Sequence, residues 1–319
     1  MKLYFAGAED GGHGYTLGRV PINSCDFSPA SYSFDDTAGD TEMKDFDKNV
    51  QHDVDSGMIP MIKEAQALIE KRGEKLTLYG SPWSPPAWMK LPVMGKQNMT
   101  LSATPTCLMP SMQRAWAKYF SKFMDAYKSH GIDMWGVTVQ NEPEAAVGWE
   151  ACLWTPAFMA SFVRDHLGPV LAEEQPGVKI IGYDHNKDHV VAWCRCSLAQ
   201  IGFAHGSHGP HVLPALLRCS LHVLSSPLLE HPCVERAKEL YKDPEAAKHF
   251  AGVGVHWYGG LNSKNLNQTH HLAPDKIILA TEACNWCCHA QGIERPCQDP
   301  HPASCVPASR PCFVWPSTF

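Results

Sequence analysis

Apolar positions along the chain follow two periods. Short runs rich in β-branched residues recur at Tyr15 to Ile22, Leu76 to Gly80, Trp135 to Gln140, Val178 to Gly182, Val253 to Tyr258 and Lys276 to Glu282, and each reads as a buried strand. Between them the spacing lengthens to three and four. Ile59, Ile62, Ala65, Leu68 and Ile69 mark one face of a helix over Met58 to Lys71, which Gly73 closes. Trp116, Phe120, Phe123, Met124 and Tyr127 mark a second over Met112 to His130, ended by Gly131, and that aromatic stripe reads as core. Thr155-Pro156 offers a cap hydroxyl and a first-turn proline for a third helix. Its buried side would be Phe158, Met159, Phe162, Val163 and Leu167, before Gly168-Pro169 interrupts it.

Strand and helix alternate with no hairpin signal, so the fold class is α/β with parallel strands, arranged as a (β/α)8 TIM barrel. Six strand units are present where closure needs eight. The expected barrel is therefore incomplete. Two segments break the pattern. From Cys194 to Val234 the helical period dissolves into His, Cys, Pro, Ser and Leu. Removing that stretch sets Val190, Trp193, Ala237 and Leu240 at three-residue steps, so it reads as an aberrant insertion within a helix. The same composition returns after Cys284, where Cys287, Cys288, Cys297, Cys305 and Cys312 stand among prolines. The expected division is a partial barrel domain over 1–284 with 194–234 inserted, and a disordered Cys/Pro-rich tail over 285–319. Both odd segments read as translated non-coding sequence from an imperfect gene model.

The chemistry suggested by the strands lies at their ends. One run stops on Gln140-Asn141-Glu142-Pro143, where proline forbids further pairing, and another stops on Ala280-Thr281-Glu282. In parallel barrels the strand C-termini carry the active site. Two glutamates held there by rigid strands are what glycoside hydrolysis requires. One carboxyl gives a proton to the leaving oxygen while the other, ionised, attacks the anomeric carbon from the opposite face. Asp184 and His185 fall at the same end of another strand, with no role assigned by the pattern.

Five motifs, in order, sharpen this reading. Arg19-Val20-Pro21-Ile22-Asn23-Ser24-Cys25-Asp26-Phe27-Ser28, Ser81-Pro82-Trp83-Ser84-Pro85-Pro86-Ala87-Trp88, Val137-Thr138-Val139-Gln140-Asn141-Glu142-Pro143, Val255-His256-Trp257-Tyr258 and Thr281-Glu282-Ala283-Cys284 resemble glycoside hydrolase family 30. Within the family they most resemble the glucosylceramidase (acid β-glucosidase) branch, over roughly residues 14–193 and 235–284. The resemblance implies Glu142 as acid and base and Glu282 as nucleophile. It implies that Arg19 braces the nucleophile and Tyr258 joins its hydrogen-bond shell. Asp26 would bind sugar hydroxyls, Asn141 the 2-hydroxyl, and His256 would form the site floor. Trp83 would offer an indole platform to the sugar ring, while Trp88 reads as loop packing. No metal or organic cofactor is implied. The resemblance also implies a β-sandwich domain, expected to lie outside the residues that carry the likeness.

Bulk properties narrow the partners. A net charge of −6 and a pI near 6.3 leave no basic footprint for nucleic acid and no polybasic membrane anchor. No run approaches the ~18 apolar residues of a membrane span. The apolar stretch in Met1 to Asp10 is too short for a signal peptide. Of 13 cysteines, only Cys25, Cys107, Cys152 and Cys284 lie outside the odd segments, too few for a dense disulfide framework. Cys284-x-x-Cys287 has zinc-ligand spacing but lacks a second pair. Asn98-Met99-Thr100 matches a glycosylation sequon. By resemblance, the function is retaining hydrolysis of glucosylceramide to glucose and ceramide in a lysosomal or secreted setting. Membrane-surface contact would come only through the substrate. The alternatives are a related β-1,6-glucanase or β-xylosidase and, because six strands leave open edges and an unfilled core, an inactive truncated product.

Overall fold

Backbone pairing joins all six apolar runs into one parallel sheet in sequence order, β1 to β6. The computed structural model describes residues 1–190, 236–258 and 262–283. The expected insertion over 194–234, the tail, and Cys284 with the cysteines after it lie outside those residues. The strands are β1 Leu17–Ile22, β2 Thr77–Pro82, β3 Gly136–Thr138, β4 Lys179–Asn186, β5 Phe250–His256 and β6 Ile277–Glu282. Every neighbouring pair is parallel, the arrangement that long crossover connections between successive strands permit. Among the described residues this makes six of the eight strands of a TIM barrel, an incomplete barrel as expected.

The helices pack where periodicity placed them. Met58–Glu70 buries Ile59, Ile62, Ala65 and Ile69. Gln113–Ser129 buries Trp116, Tyr119, Phe120, Phe123 and Tyr127 completely. Its rings interlock with the loop after β1: Phe46 meets Tyr119 edge-on with centroids 4.9 Å apart, and Phe34 lies 6.0 Å from Phe123. Thr155 caps the third helix by accepting from the Phe158 amide at 3.2 Å.

Three expectations need correction. Gly168-Pro169 does not end the third helix, which passes through one wider turn at Val163–Leu167 and continues as Gly168–Glu174. The wider turn re-spaces the ladder so that Pro169 falls in a first-turn position, where a missing N–H costs nothing. β4 does not stop at Gly182. Its polar continuation pairs with β5, His185 opposite Val255 and Asn186 opposite His256, across a register shift at Tyr183/His185. β3 is shorter than its apolar run, because the ladder lets go after Thr138. Gly254 in β5 explains how the bulged part of β4 fits: a Cβ there would come within 2.9 Å of Thr281 Oγ1 and 3.3 Å of the Asp184 Cα.

Ala237 N–H donates to the Val190 carbonyl at 3.0 Å, and Ala237 and Leu240 are buried, so the helix Arg236–Lys242 resumes beside the residue where β4's exit is last described. Cys107 and Cys152 form a disulfide that ties two loops at the strand C-terminal side. The same loops are held by Lys90, fully buried, whose Nζ donates to Ser84 Oγ, the Met99 carbonyl and the Ala151 carbonyl at 2.7 to 2.9 Å. Burial pushes that ammonium down to about 7.

Candidate active site

Because the strands are parallel, their C-terminal ends share one side of the sheet, and each contributes a polar side chain there. Arg19 from β1 is the hub. It is 6% exposed, and its guanidinium donates to four partners: Ser81 Oγ at 2.9 Å, Asn141 Oδ1 at 2.9 Å, Asp184 Oδ2 at 2.7 Å and Glu282 Oε2 at 2.5 Å. Such a buried cation is tolerable only with its donors saturated by carboxylates and hydrogen bonds. The guanidinium also lies over the Trp83 ring, 4.6 Å from its centroid. One indole face therefore belongs to Arg19, and the remainder of the ring forms pocket wall.

Asp184 is the second fixed point, and strand patterning alone did not reveal its role. Tyr183 and Asp184 both take left-handed backbone at φ 66° and 59°, a bulge that turns the Asp184 carboxylate into the centre. That carboxylate is fully buried and accepts from Arg19, from Thr138 Oγ1 at 2.6 Å and from His256 Nε2 at 3.1 Å. Burial would raise its pKa, but Arg19 and the bonds from His256 and Thr138 hold it well below the usual range. Its backbone carbonyl accepts from the Glu142 amide at 2.9 Å, and Glu142 itself sits at φ 45°. The acid following β3 is thus positioned by β4.

His256, at the tip of β5, lies between the two glutamates. Its Nδ1 is 3.2 Å from Glu142 Oε1 and 3.8 Å from Glu282 Oε1, so the two carboxylates' nearest oxygens are separated by at most those lengths end to end, 7.0 Å. Burial would push the imidazole down, but Glu282, Asp184 and Glu142 outweigh it and hold the ring protonated, up to about 9. Tyr258 donates to Glu282 Oε1 at 3.1 Å. Both oxygens of Glu282 are therefore engaged, by Arg19 and by Tyr258.

A cleft of about 160 Å³ opens over this cluster, lined by Asp26, Phe27, Trp83, Asn141, Glu142, Trp149, Tyr258 and Glu282. Every residue singled out from the sequence reaches the site, with Arg19 and His256 beneath the cleft rather than on its wall. Asn141 gives its carbonyl oxygen to Arg19, which leaves its amide nitrogen to meet a ligand. Asp26 stands at the solvent edge. Partial enclosure, then the charges of Glu282 and Glu142, hold its carboxyl up to about 6. Phe27 and Trp149, 49% and 38% exposed, are rim residues that periodicity could not flag, since each is a lone aromatic in a loop. A larger cavity of about 270 Å³ lies at the opposite ends of β4 and β5 and has no carboxylate in its lining, so it carries no such chemistry.

Comparison with known proteins identifies the family and the fold. The profile of the "Glycosyl hydrolase family 30 TIM-barrel domain" matches residues 1–214 and 228–293. Putative glucosylceramidase 3 of Caenorhabditis elegans is 34% identical over 281 residues, covering 85% of this chain and 43% of that protein. An endo-1,6-beta-D-glucanase of Neurospora crassa is 30% identical, with 86% of this chain and 57% of that one covered. The crystal structure of SrfJ from Salmonella typhimurium superposes with a TM-score of 0.66 at 26% identity, over 91% of this chain and 52% of that one. The chain spans about half the length of the proteins it matches.

Proposed function

The chain belongs to glycosyl hydrolase family 30, and on that premise we propose that it hydrolyses a β-glucosidic bond with retention of configuration, glucosylceramide being the substrate. The observation that carries the assignment of roles is the asymmetry between the two glutamates. Glu282 has both oxygens gripped, by Arg19 and Tyr258, so it is held in one orientation, as a nucleophile requires. Glu142 is the more open of the two, its side chain 21% exposed against 12%, and is free to exchange a proton with the leaving oxygen and then with water.

A limit of 7.0 Å between their nearest oxygens accommodates the ~5–5.5 Å carboxyl separation of retaining enzymes. Glu282 attacks the anomeric carbon while Glu142 protonates the departing alcohol. Water, deprotonated by Glu142, then releases the sugar. The Asn141 amide donates to the 2-hydroxyl, and Asp26 accepts from hydroxyls at the rim. Phe27 and Trp149 give the aglycone an apolar surface as it leaves the cleft. The Cys107–Cys152 disulfide favours an oxidising compartment, which supports a lysosomal or secreted setting.

Release of a fluorescent alcohol from an aryl β-glucoside, with the first-formed anomer read by NMR, tests the proposal. The β-anomer is expected first. The α-anomer first, or full turnover in Glu282→Gln, would remove the mechanism. The fungal relative supports a second reading, β-1,6-glucan hydrolysis. Rates on glucosylceramide and on β-1,6-linked glucose oligomers separate the two.

A further inference from the structure

One buried group at the tip of β4 has no part in the hydrolysis described above. His185 is 8% exposed, and its Nδ1 makes no hydrogen bond. The nearest acidic oxygen is Glu142 Oε1, 3.6 Å away. That same oxygen lies 3.2 Å from Nδ1 of His256, and the three atoms all fall within 4.8 Å of one another. Two imidazoles and one carboxylate converging on a point are the donor set of His2Glu zinc sites. Bonds of ~2.0–2.1 Å in tetrahedral geometry put neighbouring donor atoms roughly 3.3 Å apart, close to the two shorter edges found here.

We propose that Glu142, His185 and His256 form a binding site for a divalent transition-metal ion, zinc in particular, and that filling it switches hydrolysis off. The surroundings suit such a site. His256 presents Nδ1 to the centre while its Nε2 meets Asp184 at 3.1 Å, the carboxylate–histidine arrangement that orients a metal-bound imidazole. Glu282 Oε1, 3.8 Å from His256 Nδ1, stands near enough for the fourth position or for a water that fills it. Among the described residues, three carboxylates, on Glu142, Asp184 and Glu282, surround the point against the Arg19 guanidinium and the His256 proton that the ion would displace, so a cation is drawn in. Imidazole donors select zinc, copper or nickel over magnesium and calcium.

The ion displaces the proton between His256 and Glu142 and takes the Glu142 lone pair that must carry a proton to the leaving oxygen. It is therefore an antagonist of the reaction and not its cofactor. His185 is the residue that distinguishes the two states, because hydrolysis makes no use of its Nδ1.

Titration of the chelator-stripped full chain with Co2+ tests the site independently of turnover. One equivalent is expected to raise visible ligand-field bands without the near-ultraviolet charge-transfer band that thiolate ligands give. Those bands are expected to disappear in both His185→Asn and Glu142→Gln, with near-ultraviolet circular dichroism reporting whether each variant is folded. Should His185→Asn unfold, the nearly isosteric Glu142→Gln decides. Absence of bands in the parent chain, or bands that persist in a folded variant, overturns the proposal. Where the parent turns over a β-glucoside, one equivalent of Zn2+ is expected to suppress the rate at least tenfold and a chelator to restore it. Full turnover with the ion bound would refute the inhibitory role, whereas no turnover at all would count against the hydrolase reading and leave the Co2+ result standing.

Discussion

The tips of β3 and β6 hold the same side chain in opposite ways. Glu282 is the last residue of β6, just past a register shift in its pairing with β5, and is clamped at both oxygens by a buried guanidinium and a phenol. Glu142 stands beyond the end of a three-residue strand, on left-handed backbone, and is held mainly through its own amide and through His256. Immobilisation suits a nucleophile, which must meet one carbon along one line. Freedom suits a proton carrier, which must serve the leaving alcohol and then water. On the proposed mechanism, identical side chains are divided into two roles by what their neighbours leave unsatisfied.

The largest test of that contrast replaces each acid in turn. Glu282→Gln is expected to lower turnover on the order of 10³-fold or more on every β-glucoside, because no covalent intermediate forms. Glu142→Gln is expected to lose as much on alkyl glucosides but far less on nitrophenyl glucosides, whose leaving groups need little protonation. Equal losses on both substrates would erase the distinction. Next in size is the clamp. Arg19→Lys keeps the charge but removes a fork that a point charge cannot replace, with an expected fall in kcat of roughly 10²-fold and a destabilisation below the ~3–5 kcal/mol of losing the charge outright. Urea midpoints and initial rates read both. Tyr258→Phe removes one neutral donor, and about a tenfold loss in kcat with little change in stability is expected.

Smallest is the pH response of the shared histidine. Its folded pKa is raised from 6.5 to about 9, so its share of stability is complete below about 6.5 and is lost as pH rises through about 9. Asp184 is shifted downward, so its share is present above its ordinary 3.8 and is lost only in stronger acid. Denaturation midpoints are expected to hold below about pH 6.5 and to decline from there to about pH 9 by an amount of order 1–3 kcal/mol. In His256→Gln that alkaline decline should flatten. A decline unchanged in the variant would assign it to other groups.

Much of this could be read before any coordinates. The strand-end glutamates, Arg19 and the aromatic stripe from Trp116 to Tyr127 all announce themselves, because a rigid strand or helix converts a local period directly into a direction. The helix Ser263–Leu272 did not, since its Asn, His and Thr residues have weak helical preference and only Thr269 is buried. Nor did the continuation of the third helix past Pro169, where a wider turn absorbed the proline. The bulged end of β4 was the costliest omission. Tyr183-Asp184-His185-Asn186 reads as loop, and its pairing with β5 rests on a register shift that no local pattern encodes.

The order of residues along the chain determined which side chains stand at strand ends, and hence the kind of chemistry available, because strand and helix periods are local properties of the backbone. Tertiary structure alone decided what each of them does. Arg19 meets Glu282 across 263 positions, and Asp184 meets His256 across 72. The orientation of the two acids, and the roles proposed for them, follow from such long-range neighbours, since electrostatic energies depend on distance in space and on burial and not on separation along the chain.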